Sequence, residues 1–184
     1  MRLFIALDIP QETREKLSLL LKKLEPLARG ARFVRTEGIH LTLKFIGQVE
    51  DAKVREIKNR LANVPQRSAI EVAFRNFGFF PNDRRPRVFW VGIECSKELS
   101  ALASDVEEQL VPLGIEKETR EFTPHLTLAR FKTNEGLSEM QKVISSWPSR
   151  DFGETSTGEF HLYQSVLKSS GAVYTKIASY HFTK

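Results

Sequence analysis

The tetrapeptide His-Leu-Thr-Leu occurs twice in this chain, at His40–Leu43 and at His125–Leu128, and takes up two of only four histidines. In a strand, alternate side chains share a face, so each copy turns its His and Thr one way and its two Leu residues the other. The leucines suit a core. The polar pairs, opposed across a cleft, would surround one small group with two imidazoles and two hydroxyls. Imidazole titrates near neutrality, at an ordinary pKa of about 6.5. One ring held neutral can take a proton from an attacking water, while another held charged gives one to a departing alkoxide. Threonine hydroxyls can donate to phosphoryl oxygens, where charge must be stabilised. The expected chemistry is acid–base displacement at a phosphate, with His40, His125, Thr42 and Thr127 as catalytic residues.

Other chemistries find little support. The sequence holds no HExxH, no clustered Asp/Glu set and no Cys/His ligand pattern, so neither a metal nor a cofactor is expected. Nucleophile signatures and a phosphate-cradling Gly-rich loop are absent too. A His on a strand is often only a hydrogen-bonded structural residue, so the elements around each motif must carry the case.

Those elements read as a duplication. His125 stands 85 positions after His40, and the same shift lays the apolar run Arg2–Asp8 on Arg87–Ile93. A helical stripe follows each run: Leu17, Leu20, Leu21 and Leu24, with Pro10 near the first turn, then Leu99, Leu102, Val106 and Leu110. A charged loop leads into each motif, Arg32–Ile39 and Lys117–Pro124. Beyond the motifs, Val54, Ile57 and Leu61, and Leu137, Met140, Val143 and Ile144, predict a second helix in each half. Further strands are expected over Ala69–Phe74, Glu159–Leu167 and Val173–Phe182, the last two joined at a Ser169-Ser170-Gly171 turn signal. The Pro and Gly content of Phe77–Arg87 predicts an exposed loop. The expected fold is α+β: one domain over residues 1–184, with repeats at about 1–80 and 86–184. Antiparallel sheets of two pseudo-symmetric lobes would face a central cleft, with helices outside.

The chain has 184 residues, 41% hydrophobic and 28% charged, which is ordinary for a globular protein with a sizeable core. No stretch approaches membrane-spanning length, and MRLFIALDIP is too short an apolar run for a signal peptide. The lone Cys95 has no internal disulfide partner and suits packing. Cytoplasmic residence, no membrane partner and a monomeric state are the default expectations. The formal charge of +5 favours an anionic partner. Arg84, Arg85 and Arg87 concentrate that charge beside aromatic residues, as a nucleic-acid backbone and bases would require.

The longer strings MRLFIALDIP, HLTLKFIG, FFPNDRRPRVFWVGI, FTPHLTLARF and LYQSVL resemble those of the two-histidine (2H) phosphoesterases, and among them the LigT-like RNA 2′,3′-cyclic phosphodiesterases, from Met1 to about Phe182. The resemblance implies metal-free hydrolysis of a 2′,3′-cyclic phosphate at an RNA end to a 2′-phosphomonoester. It implies reversible 2′-5′ RNA ligation as well. By motif position it makes His40 the proton donor and His125 the acceptor, with Thr42 and Thr127 on the phosphate; near-symmetric motifs do not by themselves decide that direction. Arg130 could pair with a phosphate in bidentate fashion. Strict alternation puts Arg130 on the leucine face and keeps Lys44 on the histidine face, unless the strand end bends. Both remain candidate substrate ligands, with Arg84. Among Phe45, Phe79, Phe80 and Tyr163 as base-stacking candidates, Tyr163 is preferred for its place in LYQSVL. His161 and His181 read as structural or surface residues. Two alternatives stand beside the leading one: a phosphodiesterase for a small cyclic nucleotide, such as ADP-ribose cyclic phosphate, or for 2′,5′-oligonucleotides, and a module that binds RNA ends without turnover.

Overall fold

The structure is a computed structural model that describes residues 1–95, 97–169 and 171–183. Four amphipathic helices form where the apolar stripes lie. They are α1 (Gln11–Leu24), α2 (Asp51–Leu61), α3 (Lys97–Leu110) and α4 (Leu137–Ser145), and the stripe residues face the core, Val143 only partly buried. Among the described residues, nine strands make two antiparallel sheets. The first runs in the order β3 (Leu41–Gln48), β1 (Arg2–Leu7), β8 (Glu159–Lys168), β9 (Gly171–His181). The second runs β2 (Ala31–Phe33), β6 (His125–Phe131), β5 (Val88–Cys95), β4 (Ile70–Phe80), β7 (Asp151–Thr157).

Each half follows the expected strand, helix, strand, helix, strand order, but the halves do not fold as separate lobes. The closing strand of each repeat joins the other repeat's sheet: β4 pairs with β5, and β8 pairs with β1. The short β2 crosses as well and pairs with β6. Helices follow the same exchange, α1 lying against β7 and α3 against β3. The apolar faces therefore close as one continuous core, which includes Leu3, Ile5 and Leu7 of β1 and Phe89 and Val91 of β5.

Three expectations are corrected. Residues 77–80 continue β4 instead of opening a loop; only the turn before Val88 is irregular. The missing side chain of Gly78 is room for an indole: a Cβ there would stand 2.0 Å from the Trp90 ring. Strand β2 forms inside the expected charged loop, and β7 adds an edge strand. Ser170 of the turn signal lies outside the described residues; β8 and β9 pair up to Lys168 and Gly171 on either side.

Candidate active site

Both motif strands begin alike. His40 accepts its place from a short turn over Thr36–Gly38, and its Nδ1 lies 2.7 Å from the Gly38 carbonyl. His125 opens β6 with Nδ1 2.8 Å from the Thr123 carbonyl. A carbonyl only accepts, so each ring carries its proton on Nδ1 and leaves Nε2 free to give or take another. The turn beneath His40 is held from outside: Arg14 of α1 donates to the carbonyls of Thr36 at 2.8 Å and Glu37 at 3.2 Å. The β2 pairing with β6, and the bond from Val34 N–H to the Leu128 carbonyl, tie the first motif's approach segment to the second motif's strand. β3 and β6 touch across the cleft.

Thr42 stands opposite Ala6 and Thr127 opposite Trp90. Opposed residues of an antiparallel pair share a face. The leucines of both motifs are buried, so the His and Thr side chains occupy the other side, as alternation requires. Beyond the second leucine both strands bulge. Against β1 the register passes from Thr42 to Lys44, and against β5 from Thr127 to Ala129, with one extra residue each time. Alternation therefore slips by one. Leu43 and Lys44 both point inward, as do Leu128 and Ala129, and the next residues, Phe45 and Arg130, turn to the His/Thr face.

This corrects the expectation for Lys44. Its ammonium is buried at 3% exposure, 2.6 Å from Glu107 and 3.8 Å from Glu118, and donates to the Glu116 carbonyl at 2.8 Å. It holds α3 to β3 and does not reach the cleft. Arg130 is placed on the histidine face by the bulge. Arg32 of β2 stands directly opposite it, and both are exposed. Like charges facing each other across strands destabilise a sheet unless an anion lies between them. Among the described residues neither has a carboxylate within ion-pair distance, so the two guanidinia could together take an anion. Arg84 sits in the β4–β5 turn, its backbone N–H 3.1 Å from Asn82 Oδ1 and its carbonyl accepting from Asn134, with an exposed side chain.

Aromatic rings back each imidazole. Phe4 stacks on His40 with centroids 4.5 Å apart, and Tyr163 stacks on Phe4 at 5.2 Å. Tyr163 thus belongs to the site wall: its hydroxyl donates to Asp8, whose other oxygen is 2.8 Å from Lys176. Phe80 meets the edge of His125 at 5.1 Å and packs on Trp90. The Trp90 indole N–H is buried with no acceptor among the described residues. Phe79 packs on Phe89 and Phe131 in the core. His161 is buried behind the Asp8 cluster, with Nδ1 2.9 Å from Ser179 Oγ and Nε2 3.2 Å from Lys176. His181 is exposed beside Glu159. Two grooves lie elsewhere, one against Arg75 and Trp147 and one against Leu61 and Phe182, and neither is lined by a histidine or threonine of the motifs.

Burial pushes His40 down to about 4; the Gly38 carbonyl opposes this, Arg14 reinforces it and Asp8 again opposes it. Burial also lowers His125, the Thr123 carbonyl opposes, and the Arg130 guanidinium lowers it further. Both shifts favour the neutral imidazole at neutral pH.

No helix among the described residues is long and apolar enough to cross a membrane. Residues 7–90 and again 91–174 match the family model described as LigT-like phosphoesterase. A protein of Archaeoglobus fulgidus named RNA 2′,3′-cyclic phosphodiesterase is 36% identical over 95% of this chain and 96% of its own length. One of the same name from Methanocaldococcus jannaschii is 33% identical over 96% of this chain and 98% of its own. The crystal structure of E. coli LigT complexed with 3′-AMP covers all of this chain, and 98% of that one, with a TM-score of 0.80 at 27% identity. Two motif strands with the same anchored imidazole, the same inward leucines and the same bulge are what a doubled family match predicts, and the chain belongs to the LigT-like phosphoesterase family.

Proposed function

We propose that the protein opens 2′,3′-cyclic phosphates at RNA ends to 2′-phosphomonoesters by acid–base catalysis from its two motif histidines. The observation that carries this reading is the pair of imidazoles, each tied by Nδ1 to the carbonyl two residues upstream, each offering Nε2 beside a threonine on touching strands. Relatives sharing about a third of the sequence over nearly the whole chain are named for that activity.

In the forward step a water oxygen attacks phosphorus and its proton passes to Nε2 of His125. The bond from phosphorus to O3′ breaks, and His40 gives its proton to the departing oxygen. Thr42, Thr127, Arg130 and Arg32 hold the phosphoryl oxygens. The same displacement with an RNA 5′-hydroxyl in place of the attacking water, P–O3′ again breaking, forms a 2′-5′ linkage, and its reversal, attack of the 3′-oxygen on that phosphate, releases the 5′-hydroxyl and re-forms the cyclic end. His40 at about 4 is neutral at neutral pH and needs a further influence to become the proton donor. A phosphate monoanion at about 4 Å contributes about 4 kcal/mol at an effective dielectric of about 20, or about three pKa units, which returns the ring to the neutral range. Asp8 favours that charge on His40, and Arg130 opposes it on His125. The substrate itself thereby charges the donor.

The test is a short RNA with a 2′,3′-cyclic end, incubated with the protein in excess chelator and followed by mass and by a 3′-specific phosphatase. Gain of one water with a phosphatase-resistant end is the expected result. An unchanged RNA, or activity lost to the chelator, would overturn the reading; turnover of a cyclic mononucleotide alone would transfer it to a small substrate.

A further inference from the structure

The two motif histidines are anchored alike by their own approach turns, and the turn before His40 is in addition clamped by a helix. Arg14 of α1 donates from one guanidinium nitrogen to the carbonyls of Thr36, at 2.8 Å, and Glu37, at 3.2 Å. The next carbonyl along, that of Gly38, accepts the Nδ1 proton of His40 at 2.7 Å. Arg14 stands on a firm base. Its neighbours Thr13 and Leu17 are fully buried, and α1 lies against β7 and α4 of the second repeat. A helix seated on the second sheet thus holds the turn that aims an imidazole of the first. The shift of 85 positions that relates the repeats puts Leu99 in the place of Arg14, buried in α3. A leucine has no donor to offer the turn before His125.

We propose that Arg14 is the positioning residue of the proton donor, fixing the turn through which the Gly38 carbonyl aims Nε2 of His40 at the departing O3′. Three donors and acceptors in series, guanidinium to turn to imidazole, leave the ring little freedom to swing. The clamp also carries charge. Burial is the main cause of the depressed His40, the Gly38 carbonyl opposes it, the Arg14 guanidinium adds to it and Asp8 counters it. Around the ring, Tyr174 of β9 meets its edge at 5.1 Å, Tyr163 of β8 stacks at 6.2 Å, and Asp8 is itself bonded to Tyr163 and Lys176. The donor is therefore aimed before it is charged, and its charge arrives with the substrate anion. The inference rests on the reading of the site as an acid–base phosphodiesterase and adds the residue that orients its donor.

Kinetics on a cyclic-ended RNA and NMR of the ring nitrogens of the four histidines test it together. In Arg14→Met, kcat should fall by up to about a hundredfold, the cost of misplacing a reacting group by about an ångström, with KM little changed. Without substrate, His40 of the native protein should be the Nδ1–H tautomer alone. In the variant its two tautomers should mix and its titration midpoint should rise, because one opposing charge is gone, while His125 keeps its native values. Arg14→Gln, which keeps a donor and loses the charge, should recover part of the rate with the midpoint still raised; it reads the same quantities if Arg14→Met does not fold. A native kcat in these variants would overturn the proposal. So would a fall in kcat with His40 unmoved, or with His125 moved equally, which would make Arg14 a prop for the whole fold. Intact cyclic ends with a His40 that still answers to Arg14 would sink the hydrolysis reading alone; a hydrolase whose His40 ignores Arg14 would sink this inference alone.

Discussion

Strands β3 and β6 carry the same tetrapeptide and the same bulge, yet they end in different surroundings. β3 is an edge strand, and the residue its bulge turns inward is Lys44, which the structure surrounds with Glu107, Glu118 and the Glu116 carbonyl. β6 is an interior strand, and its counterpart is Ala129, fully buried between neighbours. An edge strand has one flank free, and here α3 occupies the space beside it. A long cation with a helix-borne carboxylate fills that space. Between two strands only a small apolar side chain fits. The identical part of the motif presents chemistry, and the part after the bulge adapts each strand to its place.

The largest expected break of this comparison is symmetric. His40→Ala and His125→Ala should each lower kcat by about a hundred- to ten-thousandfold, with far-ultraviolet circular dichroism unchanged. A variant of either that turned over at full rate would remove that ring from the mechanism.

The next is asymmetric. Arg130→Ala should lower kcat/KM by about ten- to a hundredfold, the range for hydrogen bonds to a charged group, whereas Lys44→Ala should leave kcat/KM within about twofold. Steady-state kinetics on one cyclic substrate compares the two. Equal losses would mean that Lys44 leaves its ion pair to reach the substrate.

Lys44→Ala should act instead on folding. It strands Glu107 beside a core that excludes its partner, and because Glu107 keeps some access to water the cost should be about 2 kcal/mol, below the range for fully buried pairs. Denaturant titration reads this directly. Glu107→Gln in the same background should recover part of it, and a variant as stable as the native protein would show the pair to be idle.

The smallest effect is a difference between two pH profiles. kcat/KM reports the free enzyme and kcat the complex. The donor must be protonated, and His40 is depressed in the free enzyme, so kcat/KM should peak below about 6.5, the ordinary pKa of imidazole, and fall as pH rises. The bound anion raises the donor, so kcat should peak at a higher pH. Coincident optima would show that substrate does not charge the donor. In Arg130→Ala the limb set by deprotonation of His125 should move up, because the guanidinium no longer opposes its charge.

The four helices were legible because each shows its apolar stripe within about a dozen residues, and alternation within HLTL placed the histidines and threonines on the face opposite the leucines. Strands β2 and β7 were not. β2 has three residues and takes its hydrogen bonds from β6, nearly a hundred positions away; nothing local marks it. The tail of β4 looked like a loop because Gly78 and Pro81 are turn residues by type, and only the Trp90 ring explains the glycine. Strict alternation gives Lys44 and Arg130 faces that a single inserted residue reverses, and a bulge is a property of two strands.

The order of residues alone determined the reagents and their local geometry: two imidazoles, two hydroxyls, and leucines that pin each pair to a strand. Which strand each half lends to the other, where the register slips, and so which of Lys44, Phe45, Ala129 and Arg130 face the cleft, were decided by tertiary structure. Side-chain periodicity is written in one strand, whereas register is written in the hydrogen bonds between strands distant in the chain.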